Sequence, residues 1–174
     1  KSLDYQIQPA GKATIHLNVA AHAAPVRFMV ILWIGAKGEL TSVKQIPDPA
    51  TPGALDPDHT LKREGKLILD ESDSYGVEMA LQLADKAGGG EVTLVSMAPN
   101  SEVSGLRTAL AMGAAKAILI SDDALAGSDS LGTAKVIAKA VERAGDVDLV
   151  LTAPESTDGY TGTMPSQVAG LLGW

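Results

Sequence analysis

From residue 66 onward, short apolar runs alternate with longer stretches in which apolar residues recur every three or four positions. The first pattern is typical of buried strands and the second of helices with one buried face. Strands are predicted at 66–69, 91–97, 116–121 and 147–153, and helices at 73–87, around 103–113, at 133–145 and at 163–173. Such alternation indicates βαβ units and a parallel sheet that is covered on both faces.

Three of the predicted helices have a defined apolar face. The residues expected to point inward are Val77, Ala80, Leu81 and Ala84 in the first, Val103, Leu106, Leu110 and Gly113 in the second, and Ala134, Ile137, Ala138 and Val141 in the third. Three glycines at 88–90 are expected to end the first helix. The helices are therefore predicted to pack against the sheet along these faces.

The first 65 residues are less regular. VRFMVILWI (26–34) is a good strand candidate and TSVKQI (41–46) is a weaker one. Residues 47–59 hold four prolines and are expected to form an irregular loop. The predicted fold class is therefore a three-layer, Rossmann-like α/β domain with a mostly parallel sheet.

Composition excludes several classes of function. The formal net charge of −7 argues against binding to nucleic acid or to an anionic membrane surface. The longest strongly apolar stretch, at 28–36, is too short to span a bilayer, so no direct membrane insertion is expected. The chain has no cysteine, which excludes disulfides and thiolate metal sites and fits a reducing compartment. Its three histidines are scattered, and no metal site is predicted.

Three segments follow predicted strands and precede predicted helices, at 97–102, 121–130 and 153–162. Ligands bind at this edge of an open parallel sheet. The third segment is the richest, with two glycines for close backbone approach and the hydroxyls of Ser156, Thr157, Thr161 and Thr163. The helix after it offers free N–H groups to a phosphate, and Asp158 could bind a ribose hydroxyl or cap that helix. Nucleotide binding and a plain capped loop both remain open at this point.

Other candidate sites have simpler explanations. AGSDS (126–130) is similar to a pyrophosphate loop but lacks its second glycine, so Ser128 or Asp129 as a helix N-cap is preferred. Lys44 is expected to be a solvated surface lysine, and the acidic cluster at 70–73 is expected to be the negative start of a helix. No catalytic nucleophile and base can be paired from their spacing.

Several motifs occur in an order that resembles one family. They are SVKQIPDP (42–49), DESDSYGVEMAL (70–81), VSMAP (95–99), ALAMGAAKAILISDDALAGSDSLGTA (109–134) and DLVLTAPESTDGYTG (148–162). Together they resemble the β subunit of electron transfer flavoprotein. The resemblance implies a nucleotide-binding domain at 41–174 that lacks the family's C-terminal part, preceded by an unmatched N-terminal extension at 1–40.

The resemblance also implies a function and partners. The β subunit would bind AMP, or a second FAD, and would form a heterodimer with an α subunit that holds most of an FAD. The pair would carry electrons from acyl-CoA and related dehydrogenases to a quinone oxidoreductase, without catalytic residues of its own. The location would be the bacterial cytoplasm or the mitochondrial matrix. The alternatives are a universal-stress-type ATP-binding signalling module and an adenylate-forming enzyme that uses AGSDS.

Carried over by position, the resemblance gives a set of cofactor-binding residues. The expected residues are Ser42, Asp70, Glu71, Ser72, Asp73, Met97, Ser156, Thr157, Asp158, Gly159, Tyr160, Thr161, Gly162, Thr163, Met164 and Gln167. Two departures from the family pattern are visible. Ser72 stands where many members have an aromatic residue that can lie near the flavin, and GELTS precedes VKQ where an apolar strand is usual.

Overall fold

The computed structural model describes residues 29–32, 39–50, 53–63 and 66–174. The strands are β1 (Met29–Leu32), β2 (Glu39–Ser42), β3 (Gln45–Pro47), β4 (Leu67–Leu69), β5 (Val92–Met97), β6 (Lys116–Ile120) and β7 (Leu149–Thr152). The helices are α1 (Glu71–Lys86), α2 (Ser104–Ala111), α3 (Ser130–Ala144) and α4 (Met164–Leu172).

Five strands form the main sheet in the order β1-β7-β2-β5-β6. The β2–β7, β2–β5 and β5–β6 pairs are parallel, and β1 adds an antiparallel edge next to β7. This arrangement confirms the predicted fold class, a three-layer α/β domain with a mostly parallel sheet.

The sheet has an apolar core on each face because successive residues of a strand point to opposite sides. In β7, Leu149 and Leu151 pack with α1 and α2, whereas Val150 packs with α3 and α4. Both faces of the central strands are therefore buried, which explains their continuous apolar runs.

The helices follow their predicted faces closely. Val77, Ala80 and Ala84 of α1 are buried, as are Ala134, Ile137, Ala138 and Val141 of α3. Leu81 is partly buried against the same core. In α2 the predicted face is shifted: Leu106 is buried with Ala109 and Gly105, while Val103 precedes the helix and Gly113 follows it. Helix α1 begins at Glu71, two residues earlier than its periodicity predicts, because Asp70 caps it.

The prediction of a single weak strand at 41–46 is wrong. The chain leaves the main sheet after Ser42 and re-forms as β3, which pairs antiparallel with β4 in a separate two-stranded sheet. The first part, β2, lies at the centre of the main sheet, where Leu40 and Thr41 are fully buried. Thr41 is β-branched and suits a strand, but its hydroxyl weakens the apolar pattern that sequence analysis depends on.

Two other segments also differ from expectation. Residues 67–69 belong to the small sheet and not to the parallel one. The described part of the 26–34 candidate, β1, forms the antiparallel edge strand, and the rest of that candidate lies outside the described residues. In the proline-rich region, residues 53–63 form a loop held by a bridge between Leu55 and Leu61.

Candidate functional site

The last residues of the four parallel strands line one cavity of about 440 Å³. These residues are Ser42 of β2, Met97 of β5, Ile120 of β6 and Thr152 of β7. Ser42 and Thr152 are register partners on neighbouring strands. After β2 the chain forms β5 and β6 on one side of β2, and it then returns to form β7 on the other side. The strand order therefore reverses between β2 and β7. Such a switch point opens a ligand crevice outside the carboxyl ends of the strands.

The three predicted segments surround this cavity. The β5–α2 segment contributes Pro99, the β6–α3 segment contributes Gly127, and the β7–α4 segment contributes Ser156 among other residues. Because each follows the carboxyl end of a parallel strand, they meet at one edge of the sheet although they are distant in sequence. The carboxyl edge at which a site is expected therefore holds a cavity that all three segments line.

The structure divides the sixteen expected cofactor-binding residues into two groups. Those that line the cavity are Ser42, Asp73, Met97, Ser156, Gly159, Thr161 and Met164. Those outside its described lining are Asp70, Glu71, Ser72, Thr157, Asp158, Tyr160, Gly162, Thr163 and Gln167. Several residues of the second group hold the loops in place.

Asp70 connects helix α1 to the β7–α4 loop. Its buried carboxylate caps α1 by accepting from the main-chain N–H of Ser72, and it also accepts from the N–H and the hydroxyl of Thr157. The expectation that the 70–73 cluster starts a helix is therefore confirmed for Asp70. The same carboxylate fixes the loop that forms one wall of the cavity.

Asp158 does not cap α4, which corrects that part of its expected role. Its two carboxylate oxygens bind Lys44 Nζ and Arg63 Nη2, each at 2.6 Å. Thr163 is the N-cap of α4 and makes no side-chain capping bond to the described residues. Burial would raise the pKa of Asp158, but hydrogen bonds from Lys44, Ser156 and Arg63 outweigh burial and hold the pKa below its usual value.

Lys44 and Arg63 are the two functional candidates that sequence analysis missed. Lys44 is not a solvated surface lysine: its ammonium group lies 2.9 Å from Ser156 Oγ as well as against Asp158, and it lines the cavity. Its position just beyond the carboxyl end of the parallel strand β2, with only Val43 between, could have indicated a site. Arg63 follows the proline-rich segment 47–59, and no sequence pattern predicts the path of the chain there.

Asp73 is a buried acid that lines the cavity. Its carboxylate accepts from the main-chain N–H of Lys44 at 2.6 Å. The pKa of Asp73 is raised to about 7, chiefly by burial and to a smaller extent by the nearby Asp70, which together outweigh the lowering effect of the hydrogen bond from the Lys44 main chain. This carboxyl therefore changes charge near neutral pH.

The β6–α3 loop also lines the cavity and carries three acids, Asp122, Asp123 and Asp129. Asp129 accepts from Gly132 N–H at 2.7 Å, which confirms it as the N-cap of α3. Asp122 accepts from Ala124 N–H in the same way at the start of a short 3₁₀ turn. The AGSDS segment thus has a structural explanation, although it borders the cavity.

Comparison with known proteins adds a family to this geometry. The sequence profile of the electron transfer flavoprotein domain matches residues 58–174. The chain belongs to the electron transfer flavoprotein domain family. The resemblance seen in the sequence motifs is therefore confirmed, and the family favours an electron-transfer role over the stress-type module and the adenylate-forming enzyme.

Three similar proteins illustrate this membership. The electron transfer flavoprotein subunit beta of Mycobacterium tuberculosis H37Rv is 38% identical over 137 residues, which cover 75% of this chain and 52% of that protein. The subunit beta of Thermoanaerobacterium thermosaccharolyticum is 39% identical over 135 residues, covering 76% and 51%. Protein FixA of Azorhizobium caulinodans is 38% identical over 136 residues, covering 75% and 48%. The chain spans about half the length of these relatives.

The described part of this electron transfer flavoprotein domain contains no group of three or more acidic or histidine residues arranged to hold a metal ion. It also contains no helix that is long and apolar enough to cross a membrane.

Proposed function

We propose that this chain is the β-subunit component of an electron transfer flavoprotein and that its cavity binds an adenine nucleotide. The nucleotide would be AMP or the adenine half of a second FAD, bound within the domain at residues 41–174. The observation that carries the proposal is the meeting of all four parallel strand ends at one cavity, in a chain of this family.

The residues present suit such a ligand. The cavity volume of about 440 Å³ lies within the range of small-molecule sites. Met97, Ile137 and Met164 give apolar walls for a base, while Ser156 and Thr161 offer hydroxyls to a sugar or phosphate. Gly159 lines the cavity, and a Cβ added there would make ordinary contacts, 3.4 Å from Ser156 Oγ and 3.7 Å from Lys44 Nζ.

In this proposal the protein supplies binding and orientation, and the flavin supplies the redox chemistry when it is bound. The β subunit would act with an α subunit that holds most of an FAD, and would pass electrons from acyl-CoA and related dehydrogenases to a quinone oxidoreductase. One similar protein, from Acetobacterium woodii, is named Caffeyl-CoA reductase-Etf complex subunit CarD, which supports a role within a larger complex. The nucleotide would stabilise the loops around the cavity because it binds the folded state alone.

The test is to purify the chain with its α partner, denature the complex and identify the released ligands by mass and absorbance. One AMP and one FAD per complex would support the ordinary carrier, and two FAD would support a bifurcating type. Release of no adenine nucleotide would contradict the proposal.

A matched pair of variants locates the ligand. Gly159→Val places side-chain atoms at the cavity wall, so we expect it to lower the nucleotide content. Gly53→Val is the control, because an added Cβ there meets nothing within 4 Å in the described part of the chain. Equal nucleotide content in both variants would place the ligand elsewhere.

A further inference from the structure

The first turn of helix α1 presents a buried carboxyl group, that of Asp73, to the cavity. We propose that Asp73 takes up a proton from solvent when an anionic ligand enters the cavity, so that ligand binding and the charge of this carboxyl group are coupled. The inference rests on the proposed function, because it takes the adenine nucleotide as the anion, and it adds a property that the proposed function does not include.

The start of α1 holds the main chain of Lys44 from both sides. Asp73 accepts a hydrogen bond from the Lys44 N–H at 2.6 Å, and the Asp70 N–H donates to the Lys44 carbonyl at 3.0 Å. An acid at the third position of a helix commonly bonds back to the start of its own helix. Here it bonds to the connection between β2 and β3, so its carboxyl group has a fixed place at the edge of the cavity.

Asp73 has no cation paired with it among the described residues. It is 4% exposed, and none of the ion pairs between described residues includes it. The ammonium group of Lys44 is directed to Asp158 and Ser156 instead. Because burial without a paired cation disfavours the charged form of a carboxyl group, the charge of Asp73 should respond to any further change in its surroundings.

The groups around Asp73 act on its ionisation in opposite directions. Burial and the carboxylate of Asp70, on the same helix, favour the protonated form. The main-chain N–H and the charge of Lys44 favour the ionised form, as does the Ala153 main chain in the β7–α4 segment. Strands β5 and β7, which also pack against α1, contain no charged residue. The resulting pKa of about 7 leaves Asp73 between its two charge states near neutral pH.

An anionic ligand would favour the protonated form of Asp73 for two reasons. The cavity of about 440 Å³ is small enough that a ligand filling it lies within roughly 10 Å of Asp73, and like charges at that range in a protein repel by an energy equal to about a tenfold change in proton affinity. The ligand also displaces water from the carboxyl group, which disfavours the charged form further. The proton affinity of Asp73 should therefore rise by about tenfold or more on binding.

The experiment uses the full chain, freed of bound nucleotide, and measures AMP binding by calorimetry at pH 7.5 in buffers that differ in ionisation enthalpy. The dependence of the binding heat on the buffer gives the number of protons taken up per AMP. The wild type should take up about half a proton, because Asp73 is mostly ionised in the free protein and mostly protonated in the complex. Adenosine has no charge and should cause an uptake below about 0.2 proton.

Two variants assign the proton to a residue. Asp73→Asn removes the buried acid and should lower the uptake to below about 0.1 proton per AMP. Glu155→Gln removes an exposed acid from the same cavity lining and is the matched control, so its uptake should equal that of the wild type. A merely structural role of Asp73 would change the affinity but not the proton number. Uptake that persists in Asp73→Asn, or that is lost in Glu155→Gln, would overturn the inference.

The same coupling should appear in the pH dependence of affinity. Because binding takes up a proton, the AMP affinity of the wild type, relative to that of Asp73→Asn, should fall by about fourfold from pH 7.0 to pH 8.5. The comparison cancels the titration of the AMP phosphate, which both proteins share. A ratio of affinities that stays constant over this range would contradict the coupling.

The outcomes separate this inference from the proposed function. Binding of neither AMP nor adenosine to the wild type would overturn both. AMP binding with an equal proton uptake for AMP and adenosine would overturn the coupling alone. Should Asp73→Asn fail to bind AMP, this comparison of the two ligands on the wild type still decides the matter.

Discussion

The carboxylate of Asp70 accepts hydrogen bonds from both the main-chain N–H and the hydroxyl of Thr157, at 2.8 and 2.9 Å, across 87 residues of sequence. The same group caps helix α1. One buried side chain therefore joins a helix start on one face of the sheet to the loop at its carboxyl edge, and it gives the cavity wall a fixed position before any ligand binds.

Loss of this carboxylate should weaken the whole domain. Asp70→Ala is expected to lower the free energy of unfolding by about 2–4 kcal/mol, because it removes a helix cap and leaves the Thr157 N–H without its charged acceptor. Thr157→Val, which removes only the hydroxyl, should cost about 1 kcal/mol. Urea unfolding measures both values. Thr108→Val on the exposed side of α2 is the control and should stay within about 0.5 kcal/mol of the wild type. A loss of unfolding free energy below about 0.5 kcal/mol for Asp70→Ala would contradict the structural role of this carboxylate.

Two helical glycines should respond in opposite ways to alanine. In Gly105→Ala the new Cβ would lie 2.7 Å from Leu69 N and 2.8 Å from Ile68 C, so α2 must move away from β4 at a cost of about 1–3 kcal/mol or more. In Gly170→Ala the Cβ meets nothing within 4 Å in the described structure, and helix propensity should stabilise α4 by about 0.5–1 kcal/mol. Thermal unfolding of the two variants tests this. Equal shifts would show that the close approach at Gly105 is not rigid.

The buried acid Asp73 should make stability depend on pH. Its pKa is raised from 3.8 to about 7, so the folded state holds a proton that the unfolded state releases. The wild type should therefore lose stability as the pH rises from about 4 to about 7, by up to roughly 4 kcal/mol from this group. Asp73→Asn removes this loss and should gain stability relative to the wild type between pH 5 and pH 8.

Urea unfolding of the ligand-free proteins at several pH values measures that difference. Subtracting the two curves cancels the titration of the carboxyl groups that both proteins share. A difference that stays constant from pH 5 to pH 8 would show that Asp73 titrates at an ordinary pKa in the folded protein.

The side chain of Gln45 is buried, and loss of its hydrogen bonds should lower the free energy of unfolding. Its Oε1 accepts from Leu106 N–H at 3.1 Å, and its Nε2 donates to the Glu102 carbonyl at 2.8 Å. Gln45→Met keeps the shape but removes both bonds, so we expect a loss of about 1–3 kcal/mol. Gln82→Met, at an exposed position of α1 with a bond to Glu78, is the matched control and should change stability by less than about 0.5 kcal/mol. Similar losses of unfolding free energy in the two variants would show that the effect of Gln45→Met does not depend on the burial of this side chain.

Local patterns were enough to predict the helices and the parallel sheet. Each inward face of α1 and α3 lies within one segment, and its spacing records which side is buried. The carboxyl-edge location of the cavity also followed, because it depends only on strand direction and helix order. The motifs that resemble the family are likewise continuous stretches of sequence.

The strand at the sheet centre and the charged groups of the site could not be predicted in the same way. Strand β2 has four residues, two of them hydroxylic, and its burial comes from β5 and β7, which are far away in sequence. The grouping of Lys44, Arg63 and Asp158 depends on the path of a proline-rich loop. These contacts join residues that are distant in sequence, and no periodicity in the chain predicts them.

The pairing of β2 with β7 also sets an order for folding. Residues 39–42 of β2 find their partners at residues 149–152 of β7, so the middle of the sheet cannot close until the ribosome has released nearly all of the described chain. The β5–α2–β6 unit is contiguous and can assemble earlier. Until β7 arrives, one edge of β2 stays open to pairing with other chains. We therefore expect this subunit to depend on chaperones most in the interval between the synthesis of β6 and the docking of β7.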